Sequence, residues 1–91
     1  DSIPLHSARD MRLVAIESNL YIAVVEESSV VIWQHVRECS GSFKHFKMLQ
    51  IIYILGCQSA SFVMVDHEEF LFLAADPHTH VYRWDGFMFV E

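Results

Sequence analysis

The chain has 91 residues, 53% of them hydrophobic and 13% aromatic, with three Gly and two Pro, so it carries a packed interior and is no disordered tail. Twelve acidic residues against six basic ones give a formal net charge of -6, and the basic ones (Arg9, Arg12, Arg37, Lys44, Lys47, Arg83) are scattered, which excludes a stripe that neutralises successive phosphates and with it a nucleic-acid partner. The apolar runs, Leu20 to Val25 and Ile51 to Leu55, fall far short of the roughly 20 residues of a membrane-spanning helix, so no membrane insertion is expected.

The start, Asp1-Ser2-Ile3-Pro4, has no initiator Met and neither the charged nor the apolar part of a signal peptide, so the expectation is an excerpt of a longer or processed chain. Met11 to Ile16 is a short β-type run that ends in a polar break at Glu17-Ser18-Asn19. Leu20 to Val25 is apolar on consecutive positions, which suits a strand covered on both faces, and its Val and Ile favour strand over helix. A turn at Glu26-Glu27-Ser28 leads into a third strand ending in Trp33, and a long hairpin loop from Gln34 to His45 precedes a strand from Phe46 to Gln50. The same order then returns. Ser61 to Asp66 reads as a strand, His67-Glu68-Glu69 as a break, and Phe70 to Ala75 as a doubly covered strand that ends at the Asp76-Pro77 turn. In the strand that follows, Val81 and Arg83 point one way, Tyr82 and Trp84 the other, before a turn at Asp85-Gly86 and a last strand from Phe87 to Glu91.

The recurrence is an internal repeat. Leu20 pairs with Leu71, Ala23 with Ala74, Val30 with Val81 and Trp33 with Trp84 at a constant offset of 51. A period near 50 belongs to propeller blades or solenoid units, and one such unit cannot bury both its faces alone. The sequence therefore predicts an all-β chain of two four-stranded antiparallel blades, residues 1–51 and residues 52–91, the last strand of the second being cut short. Trp33 and Trp84, at equivalent positions, are predicted to pack between blades.

Taken in order, Leu20, Ala23, Val30, Trp33, Gly41, Phe46 and Gln50, and then Phe62, Leu71, Ala74, Val81, Trp84, Gly86, Phe87 and Glu91, form a pattern that resembles the EAR (epilepsy-associated, or EPTP) repeat. The resemblance covers almost the whole chain and implies a segment of a seven-bladed β-propeller outside the cell. It further implies a secreted or cell-surface module, of receptor or adhesion type, that binds other proteins and catalyses nothing. Two blades cannot close a ring, so the remaining blades are expected from the same or from neighbouring chains. A structural subunit completed by neighbouring chains, and a metal-dependent enzyme on a propeller scaffold, are the alternative readings.

Chemistry-bearing residues are few. His78 and His80, two apart and close to Asp76, project to one side of an extended chain as two metal ligands would, yet a closed zinc site needs a fourth ligand, so the stretch reads as a solvated loop. Asp10, just before the innermost strand of the first unit, would suit a Ca²⁺ ion in a central channel, but the second unit has Ser61 there and a hydrogen-bonded structural role is the stronger reading. No cofactor is expected. Cys39 and Cys57 admit either two thiols or one disulfide, which would close an 18-residue loop and contribute about 3 kcal/mol in the chain-entropy model. No nucleophile elbow or phosphate-cradling loop occurs. Partner contacts are expected on loops, through Arg37 and Glu38 of the long hairpin and through Asp76, His78 and His80.

Overall fold

The structure, a computed structural model, describes residues 8–37 and 44–91. They form eight strands: β1 (Asp10–Ile16), β2 (Asn19–Val25), β3 (Ser29–Arg37), β4 (Lys44–Tyr53), β5 (Cys57–Val65), β6 (Glu68–Ala75), β7 (Thr79–Trp84) and β8 (Phe89–Val90). Each half is a four-stranded antiparallel meander, β1-β2-β3-β4 and β5-β6-β7-β8. The chain leaves the first sheet past Tyr53 and crosses at Ile54-Leu55-Gly56, two residues beyond the sequence-predicted boundary at 51/52. Gly56 takes a left-handed φ of 75° in that crossing, a conformation glycine adopts without a steric cost.

The repeat is real, but its register is 49 and not 51. Ile16 opposite Asn19 corresponds to Val65 opposite Glu68, and Gln34 opposite Tyr21 to Arg83 opposite Phe70, each residue moved by 49. The turn hydrogen bonds agree, Glu26 N to Ser29 O in the first sheet and Ala75 N to His78 O in the second. Offsets of 49 and 51 share parity, so the faces were assigned correctly although the partners were not. Trp33 is accordingly the counterpart of Tyr82, and Trp84 that of His35. Phe46 corresponds to Phe89, not Phe87: ring pairs His35–Phe46 and Trp84–Phe89 both have centroids 5.0 Å apart, whereas Phe87 is exposed.

Both first hairpins turn in the same unusual way. Glu17 and Ser18 (φ 50° and 71°) and Asp66 and His67 (φ 50° and 67°) are all left-handed, the signature of a two-residue turn that usually carries Asn-Gly. Side chains with a Cβ hold that conformation at a cost of roughly 1–2 kcal/mol per residue, recovered from the strands that the turn aligns.

The sheets pack face to face. On β2 and β3 the alternate residues Tyr21, Ala23, Val25, Val30 and Ile32 are buried against Ala60, Leu71, Leu73 and Phe89 of the second sheet. Each fully buried aliphatic side chain is worth about 1.5–3 kcal/mol, so this layer is the main source of cohesion. Polar clips fix its register. Asp10 accepts from Ala60 N (3.2 Å) and Arg12 Nε donates to Ala60 O (3.1 Å), so β1 lies along β5. At the opposite edge Gln50 makes a two-way amide pair with Phe89, donating to its carbonyl (2.7 Å) and accepting from its N–H (2.9 Å). A bulge creates that contact: Ile32 faces Gln50 but Trp33 faces Met48, leaving Leu49 as the extra residue.

Two outcomes test this packing. Leu73→Ala is expected to cost about 2–5 kcal/mol in chemical denaturation, as a fully buried leucine between the sheets should. Ser18→Gly is expected to stabilise by up to about 1 kcal/mol, because it releases a left-handed residue at an exposed turn; a loss of stability would show that the turn is unstrained.

Candidate functional site

In a meander, successive turns alternate between the two ends of the sheet. The turns at 17–18 and 66–67, the last residues of β3 and the hairpin after β7 therefore lie at one end, and the turns at 26–28, 54–56 and 76–78 at the other. This separates the residues the sequence grouped as partner contacts. Arg37 ends β3 at the first end, Glu38 lies outside the described residues, and Asp76 and His78 are exposed at the far end. His80 is on β7, on the face toward the first sheet, with Nδ1 3.8 Å from the Glu91 carboxylate.

The first end is acidic and contains a cleft of about 260 Å³ between the sheets, lined by Ile16, Glu17, Met64, His67, Glu68, Glu69, Trp84 and Gly86. Its floor is aromatic. The half-buried Trp84 ring contacts Tyr21 of the opposite sheet at 4.9 Å and Phe89 at 5.0 Å, tilted in both pairs as ring quadrupoles favour. Burial, followed by the Glu17 charge, raises the pKa of the Tyr21 hydroxyl, which keeps it neutral.

Glu69 is the buried acid of this wall. It is 5% exposed and has no hydrogen-bond or ion-pair partner among the described residues. Loss of hydration raises its pKa. Its neighbour Glu68 instead turns to the outer face, where its carboxylate lies 3.8 Å from Arg83 Nη1 in an exposed pair. Beside the cleft Asp85 accepts from Met88 N (2.9 Å) and Phe87 N (2.8 Å), bonds that hold its carboxyl below the usual range and close the β7–β8 hairpin.

The remaining sequence-predicted residues are structural. Asp10 is engaged by Ala60 N, Met11 N and Arg12. Among the described residues no group of three or more His, Cys, Asp or Glu converges on a point where an ion would sit. Cys57 is a fully buried free thiol, its sulfur 3.4 Å from Ser59 O, so the disulfide to Cys39 is not formed at Cys57; Cys39 lies outside the described residues. Burial raises the Cys57 pKa, which makes the thiol unreactive. Trp84 packs between the sheets, while Trp33 is half-buried on the other face of the first sheet.

The sequence reading missed Glu69 because it assigned His67-Glu68-Glu69 to a turn. The signal was present: Glu69 is in phase with Leu71 and Leu73, so period-two alternation puts it on their buried face.

No protein-family model matches the chain, and no curated protein matches it.

Burial favours the protonated Glu69, so the folded chain holds this proton to a higher pH than the unfolded chain does. The resulting stability is full at acid pH and is lost as the pH rises from the ordinary value of 4.5 through the raised folded-state value. Glu69→Gln keeps the shape without the charge. It is expected to raise the thermal midpoint at neutral pH and to remove this part of the decline, followed by circular dichroism across the acid range.

Proposed function

We propose that the two sheets are consecutive blades of a β-propeller of the EAR-repeat kind, and that the chain belongs to a non-enzymatic, extracellular protein–protein interaction module of receptor or adhesion type. One observation carries the blade reading. The face of the first sheet that packs on the second, with Val14, Tyr21, Ala23 and Ile32, corresponds at a spacing of 49 to Val63, Phe70, Phe72 and Val81 on the outer face of the second sheet. That outer face is apolar and uncovered, with Val63, Val65 and Val81 all exposed. The stacking is therefore head-to-tail, and each sheet offers its successor the surface that its predecessor offered it. A ring is the arrangement of such contacts that leaves no unit with an uncovered face.

Binding is proposed at the end that holds the acidic cleft, where turns held by stiff sheets present Glu17, Asp66, His67 and Asp85 together. The secreted or cell-surface setting rests on the repeat resemblance. Blades supplied by a neighbouring chain are a second reading, because the uncovered outer face suits a sheet from either source.

Val81→Glu in the full-length protein tests the blade reading. A charge on a surface that stays in water costs within about 0.5 kcal/mol, but one pressed under a further sheet costs several times that. A large loss of stability is expected, concentration-dependent if the covering sheet comes from a second chain; a neutral result removes the propeller. For the binding role, saturable attachment of the full-length protein to cells should weaken about tenfold in Glu17→Ala combined with Asp66→Ala and stay unchanged in Asp76→Ala. Equal effects at both ends, or none, would overturn it.

A further inference from the structure

We infer that the cleft between the two sheets is a receptor for a single basic side chain, lysine or arginine, of the partner protein, with Glu69 as its counter-ion and Trp84 as its aromatic wall. This rests on the interaction-module reading above. Glu69 is 95% removed from solvent by its 5% exposure, has no partner among the described residues, and lines the cleft. Its carboxylate opens to water only through the cleft and is held by no hydrogen bond or ion pair among the described residues, so a cation entering the cleft meets a partly desolvated, unengaged charge. Glu17 stands exposed at the rim on the opposite sheet, so negative charge faces the opening from both sides.

The other walls match the rest of such a side chain. Ile16 and Met64 are apolar surface for an alkyl stem, and Trp84, its ring braced by Tyr21 and Phe89, adds an aromatic side chain of the type that attracts cations to the lining. At about 260 Å³ the cleft is smaller than the roughly 300–1,000 Å³ of pockets that enclose whole small molecules, and it suits one inserted side chain. An anion is excluded by the carboxylates. Among the described residues no three His, Cys, Asp or Glu side chains converge as the ligands of a metal ion would. Asp66 and Asp85, exposed next in sequence to the lining residues His67 and Gly86, add acidic charge at this end of the sheets and would also draw a basic surface toward it.

The experiment is a titration of the full-length protein with N-acetyl-lysine methylamide and N-acetyl-arginine methylamide, followed through the Trp84 indole resonance, with the norleucine and citrulline analogues as neutral counterparts. A saturable shift with a millimolar Kd is expected for the basic probes and none for the neutral ones. Glu69→Gln should weaken binding about tenfold, the measure of one charge-assisted contact. Glu17→Gln, at an exposed turn where it leaves the fold intact, should weaken it by a smaller factor. Equal binding of the neutral probes, no shift with the basic ones, or an unchanged Kd in Glu69→Gln would overturn the inference. Spermidine binding about tenfold more tightly than a lysine-containing peptide would assign the cleft to a free polyamine and overturn the partner-protein source. No partner is needed in this titration, so a Glu69-dependent response upholds the cation site even where attachment to cells fails.

Discussion

The whole arrangement depends on the alternation of side chains along a strand. A four-stranded meander with apolar residues on only one face can rest on water with the other. Here the central strands, β2 and β6, are apolar on both faces, so each sheet presents an apolar layer on either side. The first neighbour is within the chain. Tyr21, Ala23 and Ile32 cover Leu71, Leu73 and Phe89, and the repeat places their counterparts Phe70, Phe72 and Val81 on the far side of the second sheet.

Apolar layers attract without choosing a register, and polar clips choose it. Asp10 and Arg12 read the two backbone groups of Ala60, and Gln50 reads the two of Phe89, so the sheets are pinned at both lateral edges. Each clip also gives a partner to strand-edge groups that would otherwise be open to another chain. The Asp10–Arg12 clip is not part of the repeat: at the spacing of 49 these residues correspond to Ser59 and Ser61, which cannot reach as an Asp–Arg pair does.

Much of this was legible in the sequence. Apolar runs bounded by polar turns gave eight strands in two like groups, and parity assigned the faces. The spacing was misjudged because identities at 51, such as Trp33 with Trp84, outscored the structural register at 49, whose pairs, Trp33 with Tyr82 and His35 with Trp84, share size and face but not identity. Packing selects for volume on a given side, and a side chain two residues along the strand lies on that same side. The clips were not legible in the same way, since Gln50 reaches Phe89 only through a bulge that no local pattern announces. Likewise the opposition of the two loop sets follows from counting turns in the meander, which loop composition alone does not reveal.

Glu69 shows how the same rule creates a site. Its position in the β6 alternation sends a carboxylate to the face that Leu71 and Leu73 bury, and a protein built for stability alone would hold an apolar residue there. The penalty is limited because Glu69 is the first inward-facing residue of the strand, where the sheets part and water still reaches the cleft. Deeper along β6 the same carboxylate would have to be neutral or paired to be tolerated. At the end it can be ionised yet poorly hydrated, a state that raises its own pKa and strengthens its attraction for any cation that enters. A surface that discriminates charge thus arises where the packing layer ends, from a residue whose direction was set by strand geometry.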